Sequence, residues 1–523
     1  MKSLYLIIRK CSRLQLRDMS NYFQKTKRLR YRLSTSGLSE NGNTLLKSLY
    51  LIIKRYSRQL LSDMANYLQK ISGRRYSLGI TGLSQSGKTT FITSLLNQLS
   101  NHDRSSLQAF SPVFRGDLIG VKIRPLSDGK VEFFPYEEAY RAVAGDTPNW
   151  PESTSGLSGC VLEVKLQKKK RRLNPFSSDT YIRYIEIRDY PGEWLLDLPL
   201  IDMDYLRWCN QCSAQYSKSP RTELLGPLLS ELQNIDPLEK ADLERLAMLS
   251  KRFKAFLVAC KSGRNGLSLI QPGRFLIPGE VEDEDILDFI PLLKCGSYTD
   301  GQLRKACKNS YFKVCGQRYD RYVKELVEPF YRKFCQSLDR QIVLVDVVNA
   351  LNGGPEYVDD MRQALANIAD SFSYGSVKWP LKPFVHKIDR VVFAASKVDQ
   401  VVSEDHDKVR QLLAEIVRAA YKDMQYEGVE PVCEALAAVR SSRELRDRSE
   451  QGIAGYGENG APVAYVHPEI PSRIPSGEGW RPFIEWQIPR LSPPKGLSAS
   501  NNDVIPHIRL DTVINALIGD ICK

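Results

Sequence analysis

One stretch constrains this chain more than any other. Tyr76 to Thr81 reads as a buried strand, Gly82-Leu83-Ser84-Gln85-Ser86-Gly87-Lys88-Thr89 follows at once, and Phe91, Ile92, Leu95, Leu96 and Leu99 then recur at helical spacing. A strand, a loop with glycines at its first and sixth positions and a helix opening on Lys-Thr build a cradle for phosphate. The glycines let the backbone wrap so that successive N–H groups point at an anion held at the helix N-terminus. Lys88 supplies a cation to the β and γ oxygens of a nucleotide, and the Thr89 hydroxyl is suited to Mg²⁺. Ser84, Ser86, Gly87 and the adjoining Thr90 complete the expected contacts. Such a unit belongs to an α/β layer, which sets the expectation for the rest of the chain.

Two later strands end in residues that complete such a site. Tyr184 to Asp189 is followed by Tyr190-Pro191-Gly192-Glu193. An acid at the end of a strand is where a partner for Mg²⁺ belongs, so Asp189 joins Thr89 as a metal candidate. The Gly192 N–H would face a γ-phosphate, and Glu193 stands where an attacking water is oriented. Val391 to Ala395 runs into Ser396-Lys397-Val398-Asp399. The Asp399 carboxylate can accept from two adjacent donors, N1–H and the exocyclic amino group of guanine, which adenine does not offer together. The Lys397 stem would lie over the base.

With 523 residues, the chain exceeds one ordinary core, and two compact units are expected. An apolar fraction of 42% and a charged fraction of 26% are those of a soluble globular protein, and no apolar run is long enough to span a bilayer. The opening KSLYLII has a basic flank but no small-residue cleavage site after it, so no secretory signal is read. Eleven scattered cysteines fit free thiols in a reducing cytoplasm, with Cys209 and Cys212 read as buried thiols on a helix from Tyr205 to Tyr216 rather than a zinc or redox pair. The charge of +13 points only loosely to anionic partners and carries no specific nucleic-acid signal.

The front of the chain is duplicated. Shifted by 45 positions, Lys2 to Thr44 aligns without a gap on Lys47 to Thr89, with just over half of the pairs identical. The first copy has Asn43 where the second has Lys88, so residues 1–46 read as a degenerate copy with no phosphate site of its own. Residues 47–72 read as a basic amphipathic helix, either packed on the domain or resting on an anionic membrane surface. A first nucleotide-domain part over 73–195, a helical insertion over 196–338, a second part over 339–450 and a Pro/Gly-rich extension over 451–523 follow. Strands at Tyr76–Thr81, Cys160–Leu166, Tyr184–Asp189, Ile342–Val347, Val391–Ala395 and Val432–Val439 are expected in one mostly parallel sheet with helices on both faces. The stretch from Ala461 to Gly496 should be irregular and return to a helix from Ile508 to Ile521. The basic run Lys168 to Arg172 reads as a hairpin tip, with an anionic surface as the alternative.

These residues carry a resemblance. GLSQSGKTTFI, WPESTSG, DYPGEWLLDLP, IQPGRF, DRQIVLVD, the SKVD box and the terminal PHIRLD with LIGD resemble the YcjX family of bacterial P-loop GTPases, over nearly everything from Gly73 onward. The resemblance implies a Ras-like domain with a helical insertion, binding GTP and GDP with Mg²⁺, slow intrinsic hydrolysis, a link to stress responses and an effector or activator protein. It also implies a cytoplasmic protein, with peripheral contact at the inner membrane as the basic helix's alternative. By the same route Thr154 falls in the switch before the second strand, and Val439 in a loop that touches the base through its backbone. Ser396 departs from the Asn or Thr usual in guanine boxes, and Glu193 from the Gln of small G proteins. A P-loop kinase and a nucleotide-dependent scaffold without turnover remain as alternatives.

Overall fold

Alternate side chains of the central strands feed two different cores. The computed structural model describes residues 74–523 apart from 84, 127–130, 153–155, 169–178, 263–265, 280, 282, 374–387 and 447–450. The duplicated segment, the helix expected over 47–72, Ser84, Thr154 and the basic run beyond Lys168 lie outside the described residues.

Eight strands form one mixed sheet: β1 (Arg75–Gly82), β2 (Leu118–Arg124), β3 (Glu132–Phe133), β4 (Ser158–Gln167), β5 (Thr180–Asp189), β6 (Arg340–Val345), β7 (Arg390–Ala395) and β8 (Glu430–Ala435). Their order is β2-β4-β5-β1-β6-β7-β8, with β3 beside β4. β5, β1, β6, β7 and β8 run parallel, while β4 is antiparallel to β5 and to β2. The register pairs Ile80 with Asp189, Gly82 with Leu344, Val345 with Ala395, and Ala395 with Ala435. The chemistry-bearing strand ends therefore share one edge, where an open α/β sheet binds its ligands.

The helices that matter here are α1 (Lys88–Ser100), α2 (Gly192–Leu196), α3 (Tyr205–Tyr216), α4 (Leu243–Ser262), α5 (Tyr311–Tyr322), α6 (Val347–Gly353), α7 (Pro355–Ser373), α8 (His406–Ile416) and α9 (Leu510–Ile518). Ile342, Leu344, Val392 and Ala394 share a core with Phe91, Ile92 and Leu95 of α1 and with Val513, Ile514 and Leu517 of α9. The intervening Val343, Val345, Val391 and Phe393 point the other way, into a cluster holding α7, α8 and the aromatics Trp194, Trp208, Phe253, Tyr319 and Tyr322. A period of two along each strand thus covers both faces with helices.

The segment between β5 and β6 has no separate core, since its aromatics belong to the cluster of Val345 and Phe393. The described residues fall within one compact unit, Lys70–Lys523. Cys209 and Cys212 are buried and unbridged on α3. Burial pushes the Cys212 thiol up to about 12. No helix among the described residues is long and apolar enough to cross a membrane.

Several boundaries move. The expected strand to Val347 stops at Val345 because Asp346 caps α6, its carboxylate accepting from the Asn349 N–H. The expected strand to Val439 stops at Ala435, and Ala437 pairs instead with Ile508. β2 and β3 were not expected, nor was a three-stranded antiparallel sheet of β9 (Ser442–Arg446), β10 (Gln451–Tyr456) and β11 (Pro462–Tyr465) that runs into the stretch read as irregular. The terminal helix is shorter than expected, Leu510–Ile518.

Candidate functional site

β1 delivers the phosphate loop and β5 the turn that presses on it. A Cβ at Gly82 would fall 2.1 Å from Ser86 Oγ, and one at Gly192 would fall 2.0 Å from the Gly82 carbonyl oxygen. Gly87 precedes α1 in the left-handed region at φ 80°, a conformation that glycine adopts without strain. Sequence chemistry and backbone geometry thus agree at three glycines.

Lys88 reaches across to the end of β5. Its Nζ donates to the Tyr190 carbonyl at 2.7 Å and lies 3.0 Å from Asp189 Oδ1. Asp189 is fully buried, and its Oδ2 accepts from Ser158 Oγ at 3.2 Å. Glu193, the second residue of α2, is buried and pairs with Lys261 at the end of α4, Nζ to Oε1 2.7 Å. α2 is itself locked into the helical segment. Asp197 accepts from the Gly273 N–H at 2.7 Å and from the Tyr322 hydroxyl at 2.5 Å, and a Cβ at Gly273 would meet the Glu193 carbonyl oxygen at 2.1 Å. Burial pushes the Asp197 carboxyl up to about 6, against the pull of those donors.

The other end of the site lies past β7. Lys397 holds a left-handed backbone, φ 59°, and its Nζ is 2.8 Å from Asp346 Oδ2. A non-glycine residue held there costs on the order of 1 kcal/mol, and such strain collects where a side chain must be aimed. Asp399 is buried, and its Oδ2 accepts from both the N–H and the hydroxyl of Ser441, at 2.9 and 2.6 Å. Ser442 Oγ donates to the Asp399 carbonyl. Burial raises the Asp399 pKa, opposed by the Ser441 bonds and by Lys397.

A single cavity of about 430 Å³ joins the two ends. Ser86, Gly87, Lys88, Thr89, Thr90, Gly192, Glu193, Lys397, Asp399 and Val439 all line it, and Asp189 sits beneath it behind Lys88. The family model that matches this chain is described as the YcjX-like family, DUF463, and it covers residues 76–522. The chain belongs to the YcjX-like family. A relative named Ras-like GTPase YcjX in Escherichia coli strain K12 is 34% identical over 439 residues, covering 83% of this chain and 92% of its own. A relative of the same name in Shewanella oneidensis is 33% identical over 446 residues, covering 83% and 91%.

The matched span of the YcjX-like family includes cavity residues that sequence reasoning did not find. Lys261, Asp346, Asn352 and Ser441 line it, as do Ile488 to Leu491 from the C-terminal extension. That wall is tied to the segment before Thr154 by the bond from Trp150 Nε1 to the Leu491 carbonyl, 2.7 Å. DRQIVLVD, which ends on Asp346, was the signal that the sequence held for it. Nothing local marked Lys261 or the C-terminal wall. Among the described residues, no group of three or more His, Cys, Asp or Glu side chains is placed to hold a metal ion. Beside the phosphate loop, Asp189 and Thr89 would offer a Mg²⁺ ion one carboxylate and one hydroxyl, the hard oxygen donors it takes.

Proposed function

We propose that this protein binds GTP and GDP and hydrolyses GTP with Mg²⁺, working as a nucleotide-dependent switch. The observation that carries the reading is one cavity with Lys88 and Glu193 at one end and Lys397 and Asp399 at the other. The name Ras-like GTPase borne by both relatives supports it.

The loop N–H groups and Lys88 bind the phosphates, with Lys88 exchanging its Asp189 contact for phosphate oxygens. Asp189 and Thr89 would hold the ion, which when bound neutralises charge on the β and γ oxygens. Glu193 accepts a hydrogen bond from water and aims it. Asp399 keeps one oxygen on Ser441 and receives guanine at the other, while Lys397 is steadied by Asp346.

Phosphate release from GTP tests the proposal. The purified chain should release phosphate slowly from GTP in Mg²⁺ and none in excess EDTA, and Lys88→Ala should abolish both release and nucleotide binding. Tight binding without release from the wild type would favour a scaffold, and phosphate appearing on an added acceptor a kinase.

A further inference from the structure

The helical segment between β5 and β6 brings one charged side chain to the phosphate end of the cavity. Lys261 lies next to last in α4, lines the same cavity as Gly87, Lys88 and Gly192, and sets its Nζ 2.7 Å from Glu193 Oε1. The Glu193 side chain is only 10% exposed and that of Lys261 29%. Gln85 of the phosphate loop makes a long contact of 3.5 Å to the Lys261 carbonyl, so the end of α4 meets both the loop and the turn after β5.

A glutamate beside a terminal phosphate raises an electrostatic difficulty. Two anionic groups a few ångströms apart repel strongly where water is scarce, and an uncharged amide at the same position would not. Lys88 cannot relieve it, because it serves the phosphates and lies against Asp189 and Tyr190. Among the described residues, Lys261 is the cation in contact with Glu193. We propose that Lys261 is a positioning residue for hydrolysis: it offsets the Glu193 charge so that this carboxylate can stand next to a γ-phosphate and orient water. The inference rests on the guanine-nucleotide reading above. It makes the end of α4 part of the γ-phosphate sensor, so the helical segment registers whether GTP or GDP is bound.

The test compares a non-hydrolysable GTP analogue with GDP, both titrated in Mg²⁺ against the full chain. Lys261→Met should lower affinity for the analogue about tenfold or more while GDP changes by less than about threefold, because GDP brings no γ-phosphate near Glu193. Glu193→Gln added to Lys261→Met should restore the analogue to within about threefold of wild type, and Lys261→Arg should keep most of the turnover that Lys261→Met loses. An unchanged ratio in Lys261→Met, or a loss that Glu193→Gln does not restore, overturns the proposal. A Lys261→Met protein that loses GDP equally, with no rescue by Glu193→Gln, makes the pair a structural tie and overturns it too. A wild type with no affinity for either guanine nucleotide instead brings down the reading beneath it.

Discussion

Gly192 shows how much of the site depends on a missing side chain. Its position puts a would-be Cβ 2.0 Å from the Gly82 carbonyl oxygen, a backbone atom that cannot turn aside. Gly192→Ala should push the β5 turn off the phosphate loop, costing about 1 to 3 kcal/mol in thermal unfolding. It should also slow single-turnover GTP hydrolysis at least about tenfold, with GDP affinity little changed. Wild-type turnover in Gly192→Ala would mean that the close approach has no part in catalysis. Lys88, Asp189, Glu193 and Asp399 were legible as candidates because each stands at the end of a strand or just past the turn or loop that follows it, where a few residue types determine the chemistry. Lys261 was not, because its role comes from an ion pair to a residue 68 positions away, and a lysine ending an amphipathic helix is ordinarily solvated. Ser441 was missed for the same reason: the bond to Asp399 spans 42 residues.

Among the elements, those with a strong period were readable and those held by distant pairing were not. β1, β5, β6 and β7 are apolar runs ending in turn chemistry. β2 is an edge strand with exposed Lys122 and Arg124, and its partner β4 lies beyond an intervening helix, so its alternation has little to distinguish it from a loop. β9 to β11 sit among Pro and Gly that argue against strands, yet antiparallel pairing closes them into a sheet. The terminal α9 carries its own anchor. Asp520 binds Arg340 of β6 through two oxygens, at 2.5 and 2.7 Å, and Arg340 also meets Asp389. Burial works against ionisation at Asp520, but Arg340 and Arg390 more than offset it and hold the carboxyl down to about 2 from its ordinary 3.8. A depressed folded pKa gives stability that is present above the unfolded value and lost as pH falls through the folded one. Asp520→Asn should therefore lower stability near neutral pH by about 1 to 2 kcal/mol, a figure discounted for the exposure of the carboxylate. The gap in Tm between wild type and variant should close as pH falls from about 4 to about 2. A gap that persists at pH 2 would mean that Asp520 acts through packing.

At the scale of the molecule, the helical segment and the sheet share one core, and the cavity draws on residues from Gly82 to Leu491. The fold class was legible because one phosphate loop and a series of apolar strands leave few alternatives. The packing of the helical segment's aromatics into the core on one face of the sheet was not, because sequence says nothing about which aromatics meet. The central claim is that this cavity selects guanine, and competitive titration of GTP, ATP and xanthosine triphosphate against wild type and Asp399→Asn tests it most directly. Ser441 holds Asp399 Oδ2 with two donors, so in the variant the amide oxygen should stay on Ser441 and its NH₂ turn to the base. Wild type should bind GTP at least about a hundredfold more tightly than ATP, and Asp399→Asn should lose about tenfold or more for GTP while gaining xanthosine triphosphate. Equal affinity of the wild type for ATP and GTP, or an unaltered preference in Asp399→Asn, would contradict the guanine assignment.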